Sequence, residues 1–173
     1  RPTAEVIGRF SESGQLGVLA TKGTVLSESC LLEIAHFFPD MTVFQQACPM
    51  WVPLIENGEH EGAGADYFVK DSLDQLMSQS PAIDTVLLAC THYPLLIPKI
   101  EAQLPKHIQV VSQGEIVAQS LANYLERHPA MADHCSKNGH IRFCTTDSTT
   151  DFDEKGAIFF GKSLKSEHIL LGH

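Results

Sequence analysis

Short apolar runs alternate along the chain with longer segments in which apolar residues recur every three or four positions. The runs have the length of strands, and IDTVLLAC is apolar almost throughout, as in strands covered on both faces. The longer segments have the spacing of amphipathic helices. This alternation indicates parallel α/β units joined by right-handed crossovers. The predicted strands are 16–20, 41–45, 83–90 and 108–112, and the predicted helices are 24–38, 65–77, 95–104 and 115–127.

Local signals refine this pattern. Thr24 is predicted to cap the first helix, because its hydroxyl can accept a hydrogen bond from a free backbone amide. Pro49 and Pro53, four residues apart, favour a loop or a single turn over a long helix. The polar, glycine-rich stretch 59–66 is predicted to be a surface linker.

The pattern breaks at residues 129–139, PAMADHCSKNG. Residues 1–128 are predicted to form one α/β lobe around a parallel sheet. Residues 129–173 contain one more strand pattern, IRFCTTD, and one more helical pattern, and they are too few to bury a core of their own. We therefore expect this second segment to pack onto another part of the protein.

The charge balance argues against two classes of partner. The 173 residues carry 21 acidic and 12 basic side chains, a formal net charge of -9, and no Lys/Arg cluster long enough to follow phosphates. Nucleic acid and anionic membrane are therefore not expected as partners. No run approaches the length of a membrane span and no signal-peptide pattern is present, so a cytoplasmic location is expected.

The cysteines and histidines do not form a metal-binding or disulfide pattern. Five cysteines without a CxxC pair predict reduced thiols. The nine histidines lack metal-ligand spacing and are interpreted as mainly surface or helix-end residues, so no metal is expected. The first residue is Arg1 rather than Met, and we expect the chain to be a fragment of a longer protein.

Candidate chemistry lies where the predicted strands end, because ligands of parallel sheets bind at the carboxyl ends of strands. The third predicted strand ends at Cys90, and His92 follows two residues later. A thiolate beside an imidazole can act as a nucleophile or as a carbon base. A cysteine that fills space in a core is the alternative. The residues alone leave both interpretations open.

Three motifs resemble a known family. GVLATKGTVLS, ACPMWVPLIENGE and VLLACTHYPLLIPKI, in this order and at these separations, resemble the second half of bacterial glutamate racemases, which belong to the aspartate/glutamate racemase superfamily. The likeness covers most of residues 14–128 and continues more weakly through IRFCTTDSTTDF. It implies a three-layer α/β/α lobe, with residues 129–173 completing a lobe that this chain lacks.

The resemblance implies a cofactor-independent enzyme that interconverts L- and D-glutamate for peptidoglycan synthesis. Members of the family use two cysteines on opposite faces of the substrate α-carbon, one as base and one as acid. By matching motifs, Cys90 is one of this pair, His92 contacts the substrate or tunes the thiol, and Glu56 lies near the site as a proton partner. Glutamate is the implied small-molecule partner, and a homodimer stays open.

Three hydroxyls complete the implied site. Thr91 follows the cysteine directly, and the resemblance gives it a contact with the substrate or an influence on the thiol. Thr21 and Thr24, in TKGT, fall where the family places hydroxyls near the substrate.

The same resemblance exposes a gap. The first lobe of the family carries a DSG loop, a PYG segment and the other cysteine in an ACNTA-like motif, and none of the three occurs here. Cys48 falls inside a different family segment and is interpreted as structural, and no role is assigned to Gln113. The resemblance therefore implies half an active site, so the chain alone is expected to be inactive.

Two other functions are considered. One is a racemase of the same superfamily that acts on aspartate or another amino acid, because loops of the missing lobe also contact the substrate side chain. The other is a non-catalytic α/β binding module that retains the fold. The TKGT segment, Glu56 and the CTH motif argue against such a module, since it would not need a thiol at a strand end.

Overall fold

The structure is a computed structural model that describes residues 1–172, and the surface position expected for His173 falls outside them. No helix within this range is long and apolar enough to cross a membrane. In chain order the elements are β1 (Gln15–Ala20), α1 (Lys22–Leu26), α2 (Ser29–Phe37), β2 (Thr42–Ala47), α3 (Trp51–Glu56), α4 (Ala63–Met77), β3 (Thr85–Leu88), α5 (Ile97–Gln103), β4 (Gln109–Ser112), α6 (Gln113–Arg127), α7 (Pro129–His134), β5 (Phe143–Thr145), α8 (Thr149–Phe160) and β6 (Ser166–His168).

The first unit, Arg1–Asn123, is built on a parallel sheet whose strands lie in the order β2-β1-β3-β4. The central strand β1 pairs on both sides, and its residue Leu19 lies opposite Gln46 of β2 and Leu88 of β3. β3 is buried along its whole length, as the apolar run predicts. Because the strands are parallel, their carboxyl ends meet at one edge of the sheet.

Helices cover both faces of this sheet. Alternate residues of a strand point to opposite faces. Leu19 and Leu88 pack in one apolar cluster with residues of α3, α4 and α5, whereas Val18 and Leu87 pack in another with Ile34 of α2. The result is the three-layer α/β/α arrangement that the sequence predicts, and the predicted fold class is confirmed.

The second unit begins at Tyr124, within α6, and contains α7, α8 and the parallel pair β5 and β6. Ser148 caps α8, because its hydroxyl accepts a hydrogen bond from the amide of Asp151 at 3.3 Å. Gly161, with φ of 73°, ends the helix. The division lies a few residues before the predicted boundary at 128. The assignment of residues 129–173 to another lobe stays a prediction.

The first helical segment differs from its prediction. Thr21, not Thr24, caps α1, because the Thr21 hydroxyl accepts a hydrogen bond from the Thr24 amide at 3.3 Å. The segment 24–38, predicted as one helix, is divided between α1 and α2. Glu28 separates them with a left-handed conformation, φ 53°, which interrupts the regular helix.

Other predicted boundaries move by a few residues. β3 is shorter than 83–90, and a 3₁₀ turn, Tyr93–Leu96, precedes α5. The helix α4 begins inside the stretch predicted to be a surface linker, at Ala63. The segment with two prolines forms only the six-residue helix α3, in agreement with the expected short turn.

Asp84 ties the segment before β1 to the start of β3. Its carboxylate accepts hydrogen bonds from the Ser11 hydroxyl at 2.6 Å and from the amides of Glu12 and Ser13 at 2.8 and 2.7 Å. Partial burial raises the pKa of Asp84, but these hydrogen bonds outweigh that effect and lower the pKa to about 2. The folded chain therefore favours the charged form.

We predict that Asp84→Asn lowers the free energy of unfolding at pH 7 by about 1 kcal/mol, after allowance for solvent screening of a partly exposed group. The folded pKa of about 2 lies below the ordinary value of 3.8 for an aspartate side chain. The stabilisation is therefore present above about pH 4 and is lost as the pH falls toward 2. Urea denaturation at pH 7, 4 and 2.5 measures this, with Asp40→Asn, at an exposed position, as the control. An Asp84→Asn deficit equally large at pH 2.5 and pH 7 would contradict the prediction.

Candidate active site

Backbone hydrogen bonds join the carboxyl ends of three neighbouring strands. The amide of Ala89 donates to the carbonyl of Leu19 at 2.9 Å, which extends the β1–β3 pairing beyond β3. The amide of Cys48 donates to the carbonyl of Ala20 at 2.8 Å, which extends the β1–β2 pairing in the same way. The loops that follow β1, β2 and β3 are therefore held side by side.

Cys90, His92 and Glu56 lie together at this edge. Cys90 Sγ is 4.0 Å from His92 Nδ1, and His92 Nε2 is 2.7 Å from Glu56 Oε1. Glu56 is the last residue of α3, and His92 directly precedes the 3₁₀ turn. Their side chains are 32% and 25% exposed, so the pair is partly withdrawn from solvent. The structure brings together the three residues predicted to be catalytic, and their roles stay predictions.

The contact with Glu56 determines how the imidazole meets the thiol. An ionised carboxylate only accepts hydrogen bonds, so in neutral His92 the hydrogen lies on Nε2 and the Nδ1 lone pair faces Cys90. This tautomer follows from the hydrogen-bond network. An imidazole so oriented can take a proton from the thiol and return it, while Glu56 stabilises the imidazolium. The arrangement can therefore alternate between thiol and thiolate at Cys90.

The three predicted substrate-binding threonines follow β1 and β3: Thr21 directly precedes α1, Thr24 lies within α1, and Thr91 lies in the loop after β3. Thr21 and Thr24 are half-buried, and their hydroxyl oxygens are 3.0 Å apart. The role of Thr21 as the cap of α1 fixes its position. Thr91 lies between Cys90 and His92 in the sequence, and its side chain is exposed. Their contacts with a substrate stay predictions.

The five cysteines are free thiols in different surroundings. Cys90 is half-buried at the border of an apolar cluster, whereas Cys48 is 1% exposed inside it. Burial raises the pKa of Cys48 to about 12, and hydrogen bonds with the Ser72 side chain and the Ala20 backbone offset this only in part. Cys48 is therefore a neutral thiol near pH 7, which agrees with its interpretation as a structural residue.

Tyr93 is a residue of this edge to which the sequence pattern assigns no role. Its side chain is fully buried, and its hydroxyl donates to the carbonyl of Cys48 at 3.2 Å. Its ring packs against Trp51 with a centroid separation of 4.8 Å. The sequence signal was an aromatic residue with a polar tip directly after CTH. The partner of the hydroxyl is a backbone carbonyl 45 positions away. Every residue has such a carbonyl, so the residue types do not predict this partner.

Solved structures share this architecture. A crystal structure of a glutamate racemase isoform from Bacillus anthracis matches with a TM-score of 0.88 at 29% identity, over 98% of this chain and 62% of that protein. The glutamate racemase of Francisella tularensis, crystallised with D-glutamate, matches with a TM-score of 0.81 at 24% identity, over 99% of this chain and 62% of that protein, and this likeness concerns the fold alone. The chain thus has the α/β fold of the aspartate/glutamate racemase type.

The sequence comparison is more specific, although no family model matches the chain. The chain is 38% identical over 157 residues to the glutamate racemase of Shouchella clausii, which is 91% of this chain and 55% of that relative. It therefore spans less than two thirds of the length of this relative. Over nearly the whole of the chain, the resemblance to the glutamate racemases is confirmed.

We predict that Cys48 resists alkylation in the folded chain. With a pKa of about 12, only about one molecule in 10⁴ carries the Cys48 thiolate at pH 8. Treatment with iodoacetamide at pH 8, followed by peptide mapping, should modify the exposed Cys135 well before Cys48. In urea the two thiols should react at similar rates. Equal rates in the native chain would contradict the burial assigned to Cys48.

Proposed function

We propose that this chain forms part of a cytoplasmic glutamate racemase, a cofactor-independent enzyme that interconverts L- and D-glutamate and supplies the D form for peptidoglycan synthesis. The observation that carries the proposal is the line of contacts from Cys90 through His92 to Glu56 at the carboxyl edge of the sheet. The sequence likeness to a glutamate racemase over 91% of the chain supports the choice of glutamate as substrate.

In the proposed reaction, Cys90 acts on one face of the substrate α-carbon. As a thiolate it takes the α-proton: an S–H bond forms, the Cα–H bond breaks, and the electron pair stays on the α-carbon. A second thiol on the opposite face then gives its proton to that carbon and becomes a thiolate. The configuration inverts, and the two sulfur atoms exchange their protonation states. No redox step is involved.

His92 prepares Cys90 for either direction of the reaction. Nδ1 accepts the thiol proton when a thiolate is needed and returns it when a thiol is needed. Glu56 stabilises the positive charge that His92 carries in between. The partial withdrawal of this pair from solvent strengthens the attraction, because water screens the charges less.

The substrate carbanion also needs stabilisation. An amino-acid α-proton is far too weakly acidic for a thiolate in water, so fixed donors and exclusion of water must lower the barrier. We assign the binding of the substrate carboxylates to the hydroxyls of Thr21, Thr24 and Thr91, together with backbone amides of the loops after β1 and β3.

The proposal assigns the second thiol to another part of the protein. Cys48 belongs to the same edge, but burial keeps it protonated with a pKa of about 12, and it cannot alternate readily between thiol and thiolate. Residues 129–173 are proposed to complete the lobe that carries the second cysteine.

Replacing Cys90 by alanine in the complete enzyme should lower kcat by at least about 10²- to 10⁴-fold, the range of a positioned acid or base. Circular dichroism of D-glutamate during turnover measures this, with D-aspartate as a comparison substrate. Cys135→Ala, at an exposed thiol, is the matched control and should retain activity. Turnover that survives Cys90→Ala unchanged would refute the proposed role of this thiol.

The chain alone should leave D-glutamate unchanged, because it supplies only one of the two opposed thiols. Optical activity followed during incubation with the chain measures this, and a cooperative urea transition verifies that the chain is folded. Loss of optical activity at the rate of a complete racemase would show that two bases are already present.

A further inference from the structure

We propose that Tyr93 is a positioning residue that fixes the Cys90–His92 loop against the end of β2, through the hydrogen bond from its hydroxyl to the carbonyl of Cys48. The inference rests on the proposed function, because it concerns the geometry in which Cys90 acts. Tyr93 itself is not assigned a contact with the substrate.

Tyr93 joins two loops that are distant in the sequence. Its amide donates to the carbonyl of Cys90 at 3.3 Å, which closes the turn that carries the thiol. Its hydroxyl donates to the carbonyl of Cys48, the residue directly after β2, at 3.2 Å. The amide of Cys48 in turn donates to Ala20. One side chain thus connects the loop after β3 to the loop after β2.

The carbonyl of Cys48 also holds the start of α3. The amide of Trp51 donates to it at 3.3 Å, so this oxygen accepts from both Trp51 and Tyr93. A carbonyl has two lone pairs and can accept both hydrogen bonds. The loop that carries Cys90 and the start of α3 are therefore both hydrogen-bonded to the same carbonyl oxygen.

Both ends of α3 contact the Cys90 loop. At its start the ring of Trp51 packs against the ring of Tyr93, and at its end Glu56 pairs with His92. Six residues of helix span only about 9 Å. A displacement of the loop relative to α3 would therefore disturb the Glu56–His92 contact and, with it, the orientation of Nδ1 toward Cys90.

The Tyr93 hydroxyl is suited to a permanent structural contact. Its side chain is fully buried, and burial raises the pKa of Tyr93, so the phenol stays protonated and continues to donate at every working pH.

Tyr93→Phe tests the hydroxyl while keeping the ring. In the complete enzyme we expect kcat to fall about 10-fold and KM for glutamate to change less than about twofold, because small misplacements of reacting groups reduce turnover strongly. Tyr67→Phe, at a tyrosine that is 67% exposed, is the matched control and should retain kcat. Trp51 is the single tryptophan, and its unchanged emission would show that the ring still packs in the variant.

A spectroscopic measurement on this chain does not depend on turnover. The ring ¹⁵N signals of His92 should report the Nε2–H tautomer in the native chain and should shift or broaden in Tyr93→Phe but not in Tyr67→Phe. In the native chain the Tyr93 hydroxyl proton should exchange slowly with water. If Tyr93→Phe fails to fold, this exchange measurement decides, and fast exchange would overturn the inference.

The outcomes separate this inference from the proposed function. If Cys90→Ala retains activity, the proposed function fails, and the His92 signals still test whether Tyr93 positions the loop. If Cys90→Ala is inactive while Tyr93→Phe has wild-type kcat and wild-type His92 signals, the proposed function stands and the positioning role is overturned.

Discussion

The parallel register of three strands is the constraint on which the candidate site depends. Because β1 pairs with both β2 and β3, Cys48 and Cys90 follow strands that end at the same edge, although they are distant in the sequence. A slip of one residue would turn every side chain of a strand to the opposite face. Leu19 and Leu88, paired across the inner strands and buried in one cluster, resist such a slip. Apolar packing in the sheet thus determines which residues reach its carboxyl edge.

The polar contacts at this edge differ in burial, and the difference is consistent with the roles proposed for them. The hydroxyl of Tyr93 is inside the core, where a hydrogen bond to a backbone carbonyl satisfies both groups and requires no water. Glu56 and His92 stay about a quarter to a third exposed. Full burial of an ion pair carries a large desolvation cost, and it would also separate the imidazole from solvent protons. A rim position limits that cost and keeps the imidazole within reach of solvent protons, as the proposed role of His92 requires.

The sequence predicted which candidate residues meet where these residues are close along the chain. Cys90 and His92 are two residues apart at the end of an apolar run, so the strand pattern alone takes them to the edge of the sheet. Glu56 precedes His92 by 36 positions. The strand pattern puts it after the second predicted strand, and only the resemblance assigned it to the same site as His92. Periodicity does not fix the residue at which a helix starts, and for that reason the prediction of Thr24 as the cap was wrong: the cap is Thr21. Asp84 was missed because its partners lie more than seventy positions earlier, and two of the three are backbone amides, which carry no residue-specific signal.

The placement of Glu56 itself follows from the apolar residues around it. Trp51 and Ile55 are one helical turn apart and fully buried, which fixes the face of α3 that meets the core. Glu56, the residue after Ile55, is rotated away from the buried face of α3 and therefore lies at the partly exposed border of the core. Pro53 is tolerated within the first turn, and Gly58, with φ of 73°, ends the segment two residues after the carboxylate. The short helix presents Glu56 at its last position because a buried pair orients the helix and a glycine terminates it.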